Sequence, residues 1–147
     1  MSMTRFSTLS IALLLALGGP ATAGAIQEMR SPGGLTYLSG GVTAAESATI
    51  AASKRRFALA VLTNSKVSGG PLVDAHVRIV DAAGKSLLDA DMDGPWLLAA
   101  LAPGRYQLVL TFQDETQRRD IEILPAKQLE ARFSFRSDAE VSLVRPR

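Results

Sequence analysis

The chain has 147 residues, a single-domain length. Its 16 Lys and Arg stand against 14 Asp and Glu, a net charge of +2, and this small surplus does not make the one-sided basic field of a nucleic-acid binder. It holds no Cys, which excludes disulfide frameworks, Cys-based zinc and iron–sulfur sites and thiol nucleophiles, while 47% hydrophobic and 20% charged residues predict a packed core rather than disorder.

Residues 1–25 read as a secretory signal peptide. Arg5 supplies the basic start, Leu9 to Leu17 the apolar middle, and Gly18-Gly19-Pro20 breaks the run. Ala21-Thr22-Ala23 and Ala23-Gly24-Ala25 then offer two overlapping small-x-small cleavage sites. The apolar stretch is too short to cross ~30 Å of hydrocarbon, so no membrane span is expected. No Cys follows the cleavage region, so a lipidated cysteine is not expected either. The mature product is expected to be exported: periplasmic if the source has two membranes, secreted otherwise.

Residues 26–42 form a Gly-rich lead. Ser31-Pro32-Gly33-Gly34 and Ser39-Gly40-Gly41 break structure, and Leu35 to Leu38 between them reads as a short strand or docking segment. Residues 43–56 read as one short helix. Thr43 and Glu46 have capping-box spacing, the run to Ser53 is rich in Ala, and Lys54-Arg55-Arg56 places cations at the negative end of the helix dipole. That triplet reads as a solvated helix end rather than an anion site.

From Phe57 the apolar period changes to two. Phe57, Leu59 and Val61 alternate with smaller neighbours, and Ala75, Val77 and Ile79 oppose Asp74, His76 and Arg78. Asp81 to Lys85 reads as a hairpin turn, after which Leu88, Ala90 and Met92 alternate with Leu87, Asp89 and Asp91. Trp96 to Leu101 is apolar on both faces, as in a strand covered from both sides. Pro103-Gly104 turns the chain into Tyr106, Leu108, Leu110 and Phe112. Asp114-Glu115-Thr116 turns it again toward Ile121 and Ile123, and Leu129, Ala131, Phe133 and Phe135 mark the last strand. The expectation is a mostly β protein: a seven-stranded antiparallel β-sandwich over 57–137, with one short N-terminal helix and a tail at 138–147.

Asp93-Gly94, Trp96, Leu98, Leu101, Pro103-Gly104 and Tyr106 follow a pattern of polar turn, apolar strand, Leu-x-Pro-Gly-x-Tyr and alternating strand. In this the chain resembles carboxypeptidase regulatory-like domains over residues 57–135. The resemblance implies an Ig-like, prealbumin-like (transthyretin-like) sandwich in a small exported protein. In the namesake peptidases this module sits beside a separate zinc-binding catalytic domain, for which 147 residues leave no room. Gly94 is expected to free a turn, and Trp96 and Tyr106 to fill the space between the sheets.

Candidate chemistry is sparse. Asp89, Asp91 and Asp93-Gly94 match the first half of a calcium loop, but Ala100 stands where such a loop has its Glu. A solvated acidic edge is the simpler reading. His76 is the single histidine, so a His pair for zinc is excluded, and an exposed neutral ring is expected. No G-x-S-x-G elbow or nucleotide-binding Gly motif is present. Arg118-Arg119, Arg132, Arg136, Arg145 and Arg147 suggest a modest basic patch, against which Asp120, Glu122 and Glu130 offer ion pairs. Tyr37, Arg132 and Arg136 are the expected partner contacts, together with the sheet edges. The function expected is that of a non-catalytic binding or accessory module in the cell envelope, without cofactor and without nucleic acid, its partner an envelope protein or wall polymer. The alternatives are a small carboxylate-dependent hydrolase on wall or sugar substrates and a structural subunit of a surface assembly.

Overall fold

A computed structural model of the chain describes residues 26–136; residues 1–25, expected as a signal peptide, and the expected tail at 138–147 lie outside the described residues. The fold is mostly β, with one helix. Its strands are β1 (Met29–Arg30), β2 (Thr36–Gly40), β3 (Leu59–Ser65), β4 (His76–Asp81), β5 (Ser86–Asp91), β6 (Trp96–Ala99), β7 (Gly104–Phe112), β8 (Glu115–Ile123) and β9 (Leu129–Phe135). They form a five-stranded sheet ordered β1-β2-β6-β3-β9 and a four-stranded sheet ordered β5-β4-β7-β8.

The expected count of seven strands is therefore corrected to nine among the described residues. The two extra strands come from the lead: β2 falls on the segment read as a short strand or docking segment, with Leu38 and Ser39 paired to Leu98 and Leu97, while the two-residue β1 lies outside the expectation. The all-antiparallel expectation is corrected as well, because β9 runs parallel to β3, with Leu59 opposite Leu129 and Ser65 opposite Phe135. Alternation along a strand reports which face is buried and carries no information on the direction of its neighbour.

Strand β6 is apolar on both sides because it is covered on both sides. Leu97 and Ala99 enter the core between the sheets, with Leu59, Val61, Ile79, Leu108 and Phe133. Leu98 points the other way, into a second cluster with Leu38, Ala60, Phe57 and Ile50. Ile50 belongs to helix α1 (Ala44–Ser53), which covers the outer face of the five-stranded sheet and continues as a 3-10 turn over Lys54–Arg56. The capping box is complete: Glu46 N donates to Thr43 Oγ1 at 3.1 Å, and Thr43 N donates to Glu46 Oε2 at 2.9 Å. Phe57 packs in this outer cluster rather than beside Leu59, because the 3-10 turn sets its direction before the strand begins.

Trp96 also lies in the outer layer and not between the sheets; Lys54 Nζ sits 4.7 Å from its ring centroid. Tyr106 does reach the inter-sheet core with its ring, while its hydroxyl donates to the Ala102 carbonyl at 2.7 Å and ties down the Pro103 turn. Asp81 closes the β4–β5 hairpin as expected, its Oδ1 accepting from the Ala83 and Lys85 amides, with Gly84 at φ 84°.

The role of Gly94 differs from the expectation. A Cβ there would lie 2.8 Å from Gly40 Cα and closer still to the Gly40 carbonyl, so the residue is small to let two backbones meet. Gly94→Ala is therefore expected to wedge the start of β6 away from β2 and to destabilise the protein by about 2–3 kcal/mol. Denaturant unfolding measures this, and a loss below about 0.5 kcal/mol would show that the backbones part freely.

Candidate functional site

The two sheets differ in what lies outside them. The outer face of the five-stranded sheet is roofed by α1, whereas the four-stranded sheet presents its outer face without a covering element among the described residues. Register sets the rows on that face. One runs Asp91, His76, Thr111, Thr116; the next runs Asp89, Arg78, Val109, Arg118; a third brings Val80 beside Gln107 and Asp120. Arg105 opposite Glu122 ends the series. Side chains link the strands across these rows. Gln107 Nε2 donates to Asp120 Oδ1 at 3.3 Å, and the Thr111 and Thr116 hydroxyls meet at 3.0 Å.

The best-defined group is His76. Its Nδ1 lies 2.7 Å from Asp91 Oδ1, and its Nε2 contacts Asp89 Oδ1. Two carboxylates on the two ring nitrogens require both nitrogens to donate, so this geometry belongs to the imidazolium. The hydrogen bond to Asp91 is the largest influence, and it acts with Asp89 and both negative charges, against desolvation, to raise the pKa above the ordinary 6.5. The side chain is 43% exposed, as expected, and its two acid partners replace the expected neutral form with the charged one. The Asp81–Lys85 turn alone would set His76 opposite Ala90; an irregularity between Ile79 and Val80 shifts the pairing by one residue and brings His76 opposite Asp91, which local spacing does not reveal.

The three acids of the calcium reading have different neighbours. Asp89 and Asp91 are committed to His76, while Asp93 sits past the strand end, where its amide takes a 2.9 Å hydrogen bond to Ser39 Oγ. No group of three or more acidic or histidine side chains that could hold a metal ion occurs among the described residues.

The expected partner contacts are dispersed. Tyr37 lies within the five-stranded sheet, opposite Met29 on one side and Ala99 on the other, with its ring against the inter-sheet core. Arg132 is engaged by Glu130 of its own strand at 3.1 Å. The Lys54 ammonium also bonds Glu130 and, with Arg132, holds that carboxyl below its usual range. Arg136 meets β8 through its backbone: its amide donates to Glu115 Oε2 at 3.0 Å and is the chief cause of the lowered Glu115 pKa. The basic patch also splits. Arg118 lies on the open face, while Arg119 turns inward, 4.2 Å from the Phe133 ring centroid. Arg145 and Arg147 lie outside the described residues.

Much of the edge surface is also engaged. The Ser31 hydroxyl bonds the Leu87 carbonyl on β5, and a Cβ on Gly33 would come 2.6 Å from that same oxygen. On the other side Gln117 Nε2 donates to the Ser134 carbonyl of β9 at 2.7 Å. These contacts bridge the two sheets and blunt the edges that an added strand would use.

A depression of about 560 Å³ opens at the Tyr106 end of the four-stranded sheet. It is lined by Asp81, Arg105, Gln107, Asp120 and Glu122, with Tyr106 on its wall. Burial, helped by the Asp81 charge, raises the Tyr106 pKa.

No family model and no curated protein matches the chain. Among solved structures, the Bacillus anthracis TIE protein is similar at 16% identity and a TM-score of 0.44, over 53% of this chain. The chain spans 16% of that protein's length. A likeness that small says nothing about function.

Because His76 is the single histidine, its ring signals assign themselves in a proton NMR titration. The midpoint is expected above 6.5 and falls back toward 6.5 in Asp91→Asn. A pKa raised in the folded state stabilises the fold fully below pH 6.5, and that contribution is lost as pH rises through the folded midpoint. A titration at or below 6.5 would remove the Asp–His–Asp clamp.

Proposed function

We propose that the protein is an exported, non-catalytic binding or accessory module of the cell envelope that works through the outer face of its four-stranded sheet. We further read the two-sheet stack as an Ig-like, prealbumin-like sandwich of the carboxypeptidase regulatory-like kind. The observation that supports a binding role is the asymmetry of the two outer faces. One is closed by α1, and the other displays ordered rows of charged and polar side chains, with Arg78 and Arg118 flanking Val109 and making no ion pair among the described residues. Side chains already held by cross-strand bonds lose little freedom on binding, which favours a polar partner such as an envelope protein or wall polymer.

A hydrolase reading has one specific observation in its favour. Asp120 and Glu122 stand on the same face of β8 and line one depression, as paired carboxylates acting on a sugar would. Asp120→Asn with Glu122→Gln would abolish release of reducing ends from purified wall polymer if this reading holds, and no release by the wild-type chain would end it.

The binding role is tested by cross-linking the C-terminally tagged protein in its native envelope and identifying what it captures. A stoichiometric partner is expected with the wild-type chain and at least tenfold less of it with Arg78→Glu/Arg118→Glu, at unchanged melting temperature. The intact mass of the same sample reads the cleavage site near Ala23 or Ala25. Equal capture by both forms would move the contact elsewhere, and a lone monomer from both would defeat the accessory role.

A further inference from the structure

Three cations from distant parts of the chain meet at one end of the stack, around a cavity of about 360 Å³. Arg55 and Arg56 come from the 3-10 turn, and Lys127 from the turn between β8 and β9. No acidic side chain lines the cavity among the described residues. Arg56 is met from outside by Glu28 at 2.8 Å, whereas Arg55 and Lys127 have no ion-pair partner among the described residues. The contrast with the depression near Tyr106, where Asp81, Asp120 and Glu122 surround one arginine, shows that the two concave sites are oppositely charged.

The floor is apolar. Phe57, Leu101 and Ile123 are buried beneath it, and Leu124 stands 45% exposed at its rim. The walls are tied together rather than adjacent by chance. Gln128 Nε2 bonds the Lys54 carbonyl and also the Phe57 carbonyl at 3.0 Å, and Leu129 N donates to the Ala58 carbonyl at 2.8 Å. These bonds hold the segment carrying Lys127 against the segment carrying Arg55, so an anion in the cavity would meet cations from both. Ala126, in the turn that presents Lys127, has φ 57°, a left-handed conformation that an alanine adopts at a cost. Strain of this kind is retained where the surrounding structure dictates the position of the neighbouring groups.

We propose that this cavity binds a single-chain anionic lipid monomer, its acid headgroup between Arg55 and Lys127 and its chain along Leu101, Ile123 and Leu124. At about 360 Å³ the cavity falls in the size range of small-molecule sites, about 300–1,000 Å³. The pairing of an apolar floor with two or three convergent charges is the general make-up of a small-molecule site. The site is separate from the open face of the four-stranded sheet, so either can fail without the other.

The test titrates the mature protein with dodecyl phosphate below its critical micelle concentration, read by amide NMR shifts and calorimetry. Dodecanol and inorganic phosphate serve as the chain-only and head-only arms. Saturable binding of dodecyl phosphate is expected, with shifts centred on Arg55, Leu124 and Lys127, at least tenfold tighter than either arm. Arg55→Glu/Lys127→Glu is expected to weaken it at least tenfold, and so is Leu124→Asp; all three positions are exposed, so melting temperature should not move. Arg78→Glu/Arg118→Glu should leave it unchanged. Equal affinity for dodecanol, equal affinity for phosphate, or undiminished binding by the charge-reversed protein would each overturn the proposal.

Discussion

The double-sided burial of β6 is the constraint on which the rest of the structure depends. A strand with Leu97 and Ala99 on one face and Leu98 on the other is stable only when both faces are removed from water. The second sheet covers one face. Covering the other recruits β2, α1 and Phe57, so segments that look like a loose leader become part of the core. Gly94 and Gly40 then have to be small, because β2 and the approach to β6 run at backbone contact.

That arrangement also decides what remains open. With α1 placed over the five-stranded sheet, charge and exposure concentrate on the four-stranded one, whose outward positions include Asp89, Asp91, His76, Arg78, Arg105, Arg118, Asp120 and Glu122. The inward positions of β8 show how the stack ends at its side. Glu115, Gln117 and Arg119 stand where a closed core would hold apolar residues, and they bond Arg136, Ser134 and the ring of Phe133 across the gap between the sheets. A stack that is not closed into a barrel has to end in water, and these polar groups make that boundary while leaving Phe133 buried.

Acid and base are distributed on the surface with more order than the small net charge suggests. The acidic groups of β5 clamp one histidine, the depression near Tyr106 is acid-rich, and the opposite sign gathers around Lys127 and the 3-10 turn. Net charge is a sum and says nothing about such separation. The basic triplet Lys54-Arg55-Arg56, read from sequence as a solvated helix end, is divided by the fold: Lys54 pairs with Glu130 and covers Trp96, while Arg55 and Arg56 face the cavity.

Local physics made several features legible from sequence alone. Alternation marked the buried faces of β4, β5 and β7, the Asp81–Lys85 turn closed its hairpin, Thr43 and Glu46 capped their helix, and the apolar run from Trp96 announced a strand covered on both sides. Each depends on residues within a few positions of one another, where spacing translates directly into direction. Strand partners do not. The parallel pairing of β3 with β9, the insertion of β2 beside β6, the fate of Tyr37 and the meeting of Arg55 with Lys127 join residues that no short window contains. The sequence by itself determined a β-rich chain with one capped helix and the faces its strands would bury. Which strands became neighbours, and so which charges gathered into sites, was decided only in three dimensions, because burial of shared apolar faces selects the pairing and the polar side chains follow where the backbone takes them.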